Sequence, residues 1–312
     1  MAAPGGQRTQ AEPPDAGPLG QCRGDWAFYK QIFDFPSWSS MNICWKCSAS
    51  RGGAHDYKDC SASAAWRAHR LHGPEFLAKQ RAAGITPSAL FQSPGFQVKH
   101  CMIDWLHTVD LGVVADALGQ LFDEIIELLP GANRKERVNS LWQRVRAFYK
   151  EFRPPSELQA LTPEMVKAPG QPAKLRAKAA QCRYLLPFGA ALAKEFSGGS
   201  EHRATVSNLM QYLLEVTVCI STEPYDASRA SAACRKFCLL YSALEKEALQ
   251  NNNSSSWRCK PKLHLFQELI EYTLLRLVPH RCSGHIWMRV GVGGWPALGL
   301  GGGVSIGHPQ LH

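Results

Sequence analysis

No stretch of this 312-residue sequence is long and apolar enough to span a bilayer, which excludes a helical membrane protein. The first 24 residues, MAAPGGQRTQAEPPDAGPLGQCRG, contain no apolar run like that of a secretory signal, so export is not expected. No internal repeat is present, which leaves no basis for a solenoid or a propeller. Strand signals are scarce: FQVKHCMID, residues 96–104, is the best, with β-branched and aromatic residues following Ser-Pro-Gly. Acidic residues vanish from one region altogether, since 272–312 contain no Asp or Glu.

What is there is ample material for a core: 45% of residues are apolar and nine are Trp, so wholesale disorder is excluded. The eleven cysteines are an odd number in a long chain without an export signal, and read as reduced thiols rather than as a disulfide framework. Cys182, Cys219, Cys234 and Cys238 fall inside expected helices, where a free Cys acts as a small buried hydrophobe. The net charge of +9 is local: residues 133–194 hold 13 Lys or Arg against 4 Glu, and the remaining 22 basic and 22 acidic residues cancel. Such a concentration suits a polyanion, because neutralised phosphates release counterions, although a solvated basic face has the same composition.

Periodicity predicts a mainly α protein. DWAFYKQIFDF reads as a short helix, followed by the cysteine-bearing loop ICWKCSASRGGAHDYKDC and two helices closed by Gly73 and Gly84. From Leu111 to Leu129 the apolar positions form one stripe, with Asp116, Gln120, Asp123 and Glu127 opposite. Asn133 with Glu136 three residues later marks the next helix start. Further helices are expected at 174–186, 202–221, 228–249 and 261–278, with Pro187, Ser-Gly-Gly-Ser and 251–256 as separators. The Gly-rich end, 280–312, reads as a flexible tail.

Three motifs could carry chemistry. Cys44-Trp45-Lys46-Cys47 places two thiolates at a spacing that holds one tetrahedral Zn²⁺, with Cys60, His69 and His72 as local partners; an incidental pair of thiols is the plain alternative. Asp104-x-x-His107 lies where the candidate strand ends and a helix begins, a place for catalytic groups but equally for a helix cap and a packed histidine. Lys260-Pro261-Lys262-Leu263-His264 opens an amphipathic helix.

In the order GDW, CWKC, MIDWLHTVDLGV and KPKLH, residues 24–279 resemble the eukaryotic DDE-type transposases, closest to the CACTA-like group. The resemblance implies an RNase H-like core in which three carboxylates hold two divalent metals for strand cleavage and transfer. It matches Asp25 to the second catalytic Asp, Cys44 and Cys47 to zinc thiolates, His264 to a distant zinc ligand, and Asp104 with His107 to the D-x-x-H signature. The strand at 96–103 becomes the last core strand, and the region after it the large helical insertion of that family. The implied layout is a leader (1–24), a partial RNase H-like core with a zinc loop (25–107), a helical insertion-type domain (108–279) and the tail.

Two departures bear on activity. Only Glu12 and Asp15 precede Asp25, both in the Pro-rich leader, so the first catalytic Asp has no counterpart, and the acid-free 272–312 offers no third. Asp25 and Asp104 alone cannot fix two Mg²⁺ ions, and only Glu268 or Glu271 could stand in for the third acid. The expectation is an inactive, zinc-containing, transposase-derived protein, placed in the nucleus or otherwise the cytoplasm. It would bind duplex DNA weakly and without sequence preference through Arg137, Arg144, Lys174, Arg176, Lys178 and Arg183. The alternative is a non-catalytic helical interaction module for RNA or an acidic protein.

Overall fold

The computed structural model describes residues 21–274 apart from 94 and 223, so the flexible tail and nearly all of the leader expected from sequence lie outside the described residues. The described chain is mainly helical, and no helix in it is long and apolar enough to cross a membrane.

Its beginning is a two-stranded parallel pair, β1 (Cys22–Gly24) and β2 (Cys101–Ile103), in the register Cys22↔Cys101 and Gly24↔Ile103. Strand β1 precedes Asp25, and the strand at 96–104 is shorter than expected because 98–100 forms a 3₁₀ turn. Two three-residue strands do not sustain themselves. The Tyr29 hydroxyl donates to the carbonyls of Cys22 and Met102, one on each strand, and so pins the pair to helix α1 (Trp26–Phe33). Tyr29 belongs to a stacked aromatic cluster with Phe33, Phe35, Trp45 and Phe91. The crossover between the strands carries the cysteine loop, the single-turn helix α2 (Ala65–Ala68) and α3 (Gly73–Ala82). Gly73 begins α3 instead of stopping α2, while Gly84, at φ +75, follows the end of α3 as expected.

After β2 a π-helical stretch, Leu106–Val114, runs into α4 (Ala115–Ile126). The apolar stripe of α4 is buried, but so are Asp116 and Gln120 from its expected solvent face. Residues 173–175 cross that face, bonded through Leu175 N–H to Ala115 O (2.8 Å) and Gln120 Nε2 to Ala173 O (3.0 Å). The crossing is close enough to require glycine: a Cβ on Gly119 would lie 2.3 Å from the Lys174 Cα.

The rest is a helical body of α5 (Arg134–Phe152), α6 (Pro163–Val166), α7 (Ala179–Glu195), α8 (Glu201–Ser221) and α9 (Ala227–Gln250). Asn133 caps α5 by accepting from Glu136 N–H at 3.0 Å, as the spacing predicted. Pro187, expected to separate helices, lies inside α7, where burial of that whole face outweighs its missing N–H. Helices α8 and α9 form a hairpin whose inner side chains, Leu209, Met210, Leu213, Phe237 and Cys238, are fully buried. Last comes α10 (Pro261–Glu268), continuing as a π-helical turn, Leu269–Leu274, and packing on both the body and the N-terminal region.

Candidate metal centre

The cysteine loop is shaped by its backbone. Ile43 N–H bonds Ala49 O at 3.0 Å, closing a turn around Cys44 and Cys47, and Lys46 N–H points at the Cys44 sulfur at 3.3 Å. Two bonds, Ser48 N–H to His69 O and Leu71 N–H to Lys46 O, zip the loop to 69–71 and set Arg70 beside it. Helix α10 arrives from the other side of the sequence and presents His264 and, one turn later, Glu268.

Four donors meet there. The Cys44 and Cys47 sulfurs, a His264 nitrogen and a Glu268 oxygen all lie within 4.8 Å of one another, and all four residues are buried. Cys47 Sγ is 3.3 Å from His264 Nε2, which is 3.7 Å from Glu268 Oε1. Burial alone would raise the Cys44 thiol, yet hydrogen bonding to Cys47 and His264 brings it down to about 5. Cys47 is pushed up by burial and by hydrogen bonding to its neighbour Cys44. Burial also opposes ionisation of Glu268, but the Arg70 guanidinium, forked on its two oxygens at 2.5 and 2.7 Å, holds its pKa below the ordinary value. Two sulfurs, one imidazole and one carboxylate in a dry enclosure make a donor set able to hold a metal ion.

Of the expected ligands the structure brings together Cys44, Cys47 and His264, across 217 residues. It does not bring the local partners. Cys60 is buried nearby but takes the Gln267 amide at 3.6 Å, His69 is exposed with Nδ1 on Ala65 O, and exposed His72 starts α3. His107 pairs with Asp104 at 2.7 Å. Glu268 was missed as a ligand, although its four-residue spacing from His264 puts both on one helix face.

Asp25 and Asp104 follow directly on the paired strand ends and line one small cavity of about 130 Å³ with Trp45, His107 and Lys262. Both act as helix caps: Asp25 accepts from Phe28 N–H at 2.7 Å and Asp104 from His107 N–H at 2.8 Å. Glu268 and Glu271 are committed elsewhere, to Arg70 and Arg67, and neither lines that cavity.

The basic residues expected to meet phosphate are dispersed. Arg183 is buried and forks onto the fully buried Asp110, and Lys174 turns inward to Leu111 O at 2.7 Å and towards Asp116. Arg137 pairs with Glu127 at 2.6 Å and Arg144 with Glu195. Arg176 and Lys178 are exposed and, among the described residues, without an ion pair.

No family model, no curated protein and no solved structure matches this chain.

Proposed function

We propose that the chain is a transposase-derived, catalytically inactive DNA-binding protein, a helical insertion-type domain on a remnant of an RNase H-like core, stapled by one structural zinc ion. The observation that carries this reading is a convergence. Motifs spread from Asp25 to His264, which suggest the resemblance only by their order, fold into one corner, with Asp25 and Asp104 at neighbouring parallel strand ends and Cys44 and Cys47 against His264. Parallel strand ends are where α/β folds place reacting groups.

Zinc suits the donor set, since it accepts thiolate, imidazole and carboxylate in a four-coordinate structural site. Cys44, Cys47, His264 and Glu268 would hold it, and its contribution would be to tie the cysteine loop to α10. Inactivity is supported by the cavity at the strand ends, where Asp25 and Asp104 are the only carboxylates among the described residues. Two carboxylates that also cap helices do not position two metal ions.

One observation favours the competing reading, a non-catalytic module for RNA or an acidic protein. Arg137, Arg144, Lys174 and Arg183 answer internal partners and leave less free charge than the count suggests. Purified protein decides between them. The transposase-derived reading expects about one zinc per chain, duplex affinity that falls steeply with salt, and no nicking with Mg²⁺ or Mn²⁺. A metal-free protein with salt-independent or absent duplex binding overturns it. Metal-dependent nicking lost in Asp25→Ala overturns the inactivity.

A further inference from the structure

We infer that the outer edge of α5, formed by Lys135, Arg146, Lys150 and Arg153, is the surface that lies along the backbone of duplex DNA, a placement that rests on the DNA-binding reading above. Helix α5 has 19 residues. At about 100° per residue, Lys135, Asn139, Gln143, Arg146 and Lys150 fall within an arc of roughly 80°, and the C-cap Arg153, at φ 47, follows where the helix ends. All six are exposed, and Val138, Leu141, Val145 and Tyr149 on the other side are buried.

The helix sorts its cations by the direction they face. Those turned towards other helices meet acids: Arg134 reaches Asp123 and Glu127, Arg137 reaches Glu127, and Arg144 reaches Glu195. Those on the arc form no ion pair among the described residues, although Lys135 lies close enough to Glu164 to favour its ionised form, and Arg146 has the neutral Gln143 amide oxygen at 3.5 Å. The two glutamates of α5 near its ends, Glu136 and Glu151, lie off the arc, and Glu136 is bound to Ala132 N–H and the Asn133 amide at the helix start. Arg146 and Lys150 stand four residues apart and Lys150 and Arg153 three, spacings at which like charges repel. Among the described residues no ion pair relieves that repulsion, and a polyanion would.

The shape of the array selects the polyanion. Lys135 to Arg153 spans about 27 Å of straight helix, and Arg146 to Arg153 about 10 Å, at ~1.5 Å per residue. A DNA strand offers one phosphate per ~3.4 Å of axis, so the three C-terminal cations face a run of about three phosphates. Single-stranded nucleic acid is held by aromatic rings on which bases stack, and the arc has none. Of the aromatics of α5, Trp142 borders the arc but packs on the core, as does Phe148, Tyr149 is buried, and Phe152 stacks on Phe148. Contacts of Lys and Arg to phosphate fix the position of the protein on the duplex and carry no base choice.

The test is fluorescence anisotropy of the full chain with a labelled duplex across a salt series. It compares the triple variant Arg146→Gln/Lys150→Gln/Arg153→Gln with a charge-matched control, Lys79→Gln/Arg81→Gln/Lys99→Gln, whose sites are also exposed. Each lost phosphate contact lessens the slope of log K against log salt by about 0.9, so the α5 triple should lose about 2.7 and the control nothing. Equal losses in both variants, or an unchanged slope in the α5 triple, would place the contact elsewhere and overturn the inference while leaving DNA binding intact. A wild-type chain that ignores duplex DNA would instead overturn the reading beneath it. Tighter binding to a single strand than to the duplex would overturn the choice of partner. Unchanged circular dichroism of both variants is expected, because every altered side chain is on the surface.

Discussion

The N-terminal region, residues 22–105, and the helical body, residues 106–250, are held together by different physics. In the first, no described element exceeds ten residues, and cohesion comes from the aromatic cluster and from polar links to distant chain. Arg67 meets Glu271, Arg70 meets Glu268, Lys58 meets Glu245 at 2.8 Å, and the Tyr57 hydroxyl donates to Cys259 O at 3.1 Å. In the second, helices of 12 to 24 residues, the single-turn α6 apart, bury continuous apolar stripes against one another. A chain of short elements buries less apolar surface against its ordering entropy, so it borrows more of its stability from cross-links than long helices do. The candidate metal centre lies on the side that needs it.

The comparison breaks most visibly if the proposed zinc site is taken apart. Structural zinc supplies on the order of 10 kcal/mol of folding free energy in small domains, so Cys44→Ser with Cys47→Ser, or a strong chelator, should cost the N-terminal region most of its stability. Hydrogen exchange should show amides of 43–71 losing protection while those of α8 and α9 keep theirs. Uniform loss along the chain would mean the two regions fold as one unit, and no loss would mean the centre holds no metal.

Next in size is the charge pair inside the helical body. Asp110 is fully buried with Arg183, and burial raises its pKa even though the guanidinium and the Trp105 indole N–H, at 3.2 Å, favour its ionised form. Asp110→Asn leaves Arg183 buried without its counter-charge and should cost about 3–5 kcal/mol. Replacing both with Leu or Met should recover most of that, because desolvation is then avoided. A double variant as unstable as the single one would show that this body also depends on polar cross-links. A smaller effect, about 1–3 kcal/mol, is expected for Gly119→Ala, whose new methyl meets the Lys174 backbone. Urea denaturation of Gly119→Ala should show the midpoint lowered, and an unchanged midpoint would mean that residues 173–175 are free to move off α4.

Sequence reading succeeded where stability is local and faltered where it is borrowed. Helices α8 and α9 were legible to within a residue because their periodicity and their separators are written in the segments themselves. Asp116 and Gln120 were assigned to solvent because α4 alone reads as amphipathic; only the crossing of residues 173–175 covers them. Arg183 counted as a DNA cation for a similar reason, its partner Asp110 being 73 residues away. At the centre, Cys44 and Cys47 were legible from their spacing, and His264 only through the order of motifs. Glu268 escaped because a carboxylate becomes a ligand only when tertiary packing delivers the other donors, although its spacing from His264 was there to be read.

The smallest effect sharpens the comparison from within the helical body, where a further polar cross-link joins three helices. His202 on α8 has Nδ1 3.0 Å from Glu247 on α9 and Nε2 3.1 Å from Glu124 on α4. Ionised carboxylates only accept hydrogen bonds, so the ring must carry both protons to satisfy both partners. The bond to Glu124 raises its pKa most; burial opposes, Glu247 adds to the rise, and the result is about 9. A raised folded-state pKa stabilises fully below the unfolded value of ~6.5, and the stabilisation is lost as pH climbs through about 9. The clasp lines an open cavity of about 410 Å³, so solvent screens it and its worth is at most ~0.5–1 kcal/mol. His202→Gln should therefore lower the urea midpoint slightly at pH 6 and hardly at all at pH 9.5, where the wild-type ring has lost its charge. An equal deficit at both values would mean that His202 acts by packing alone, and that the helical body needs no charged link between α4, α8 and α9.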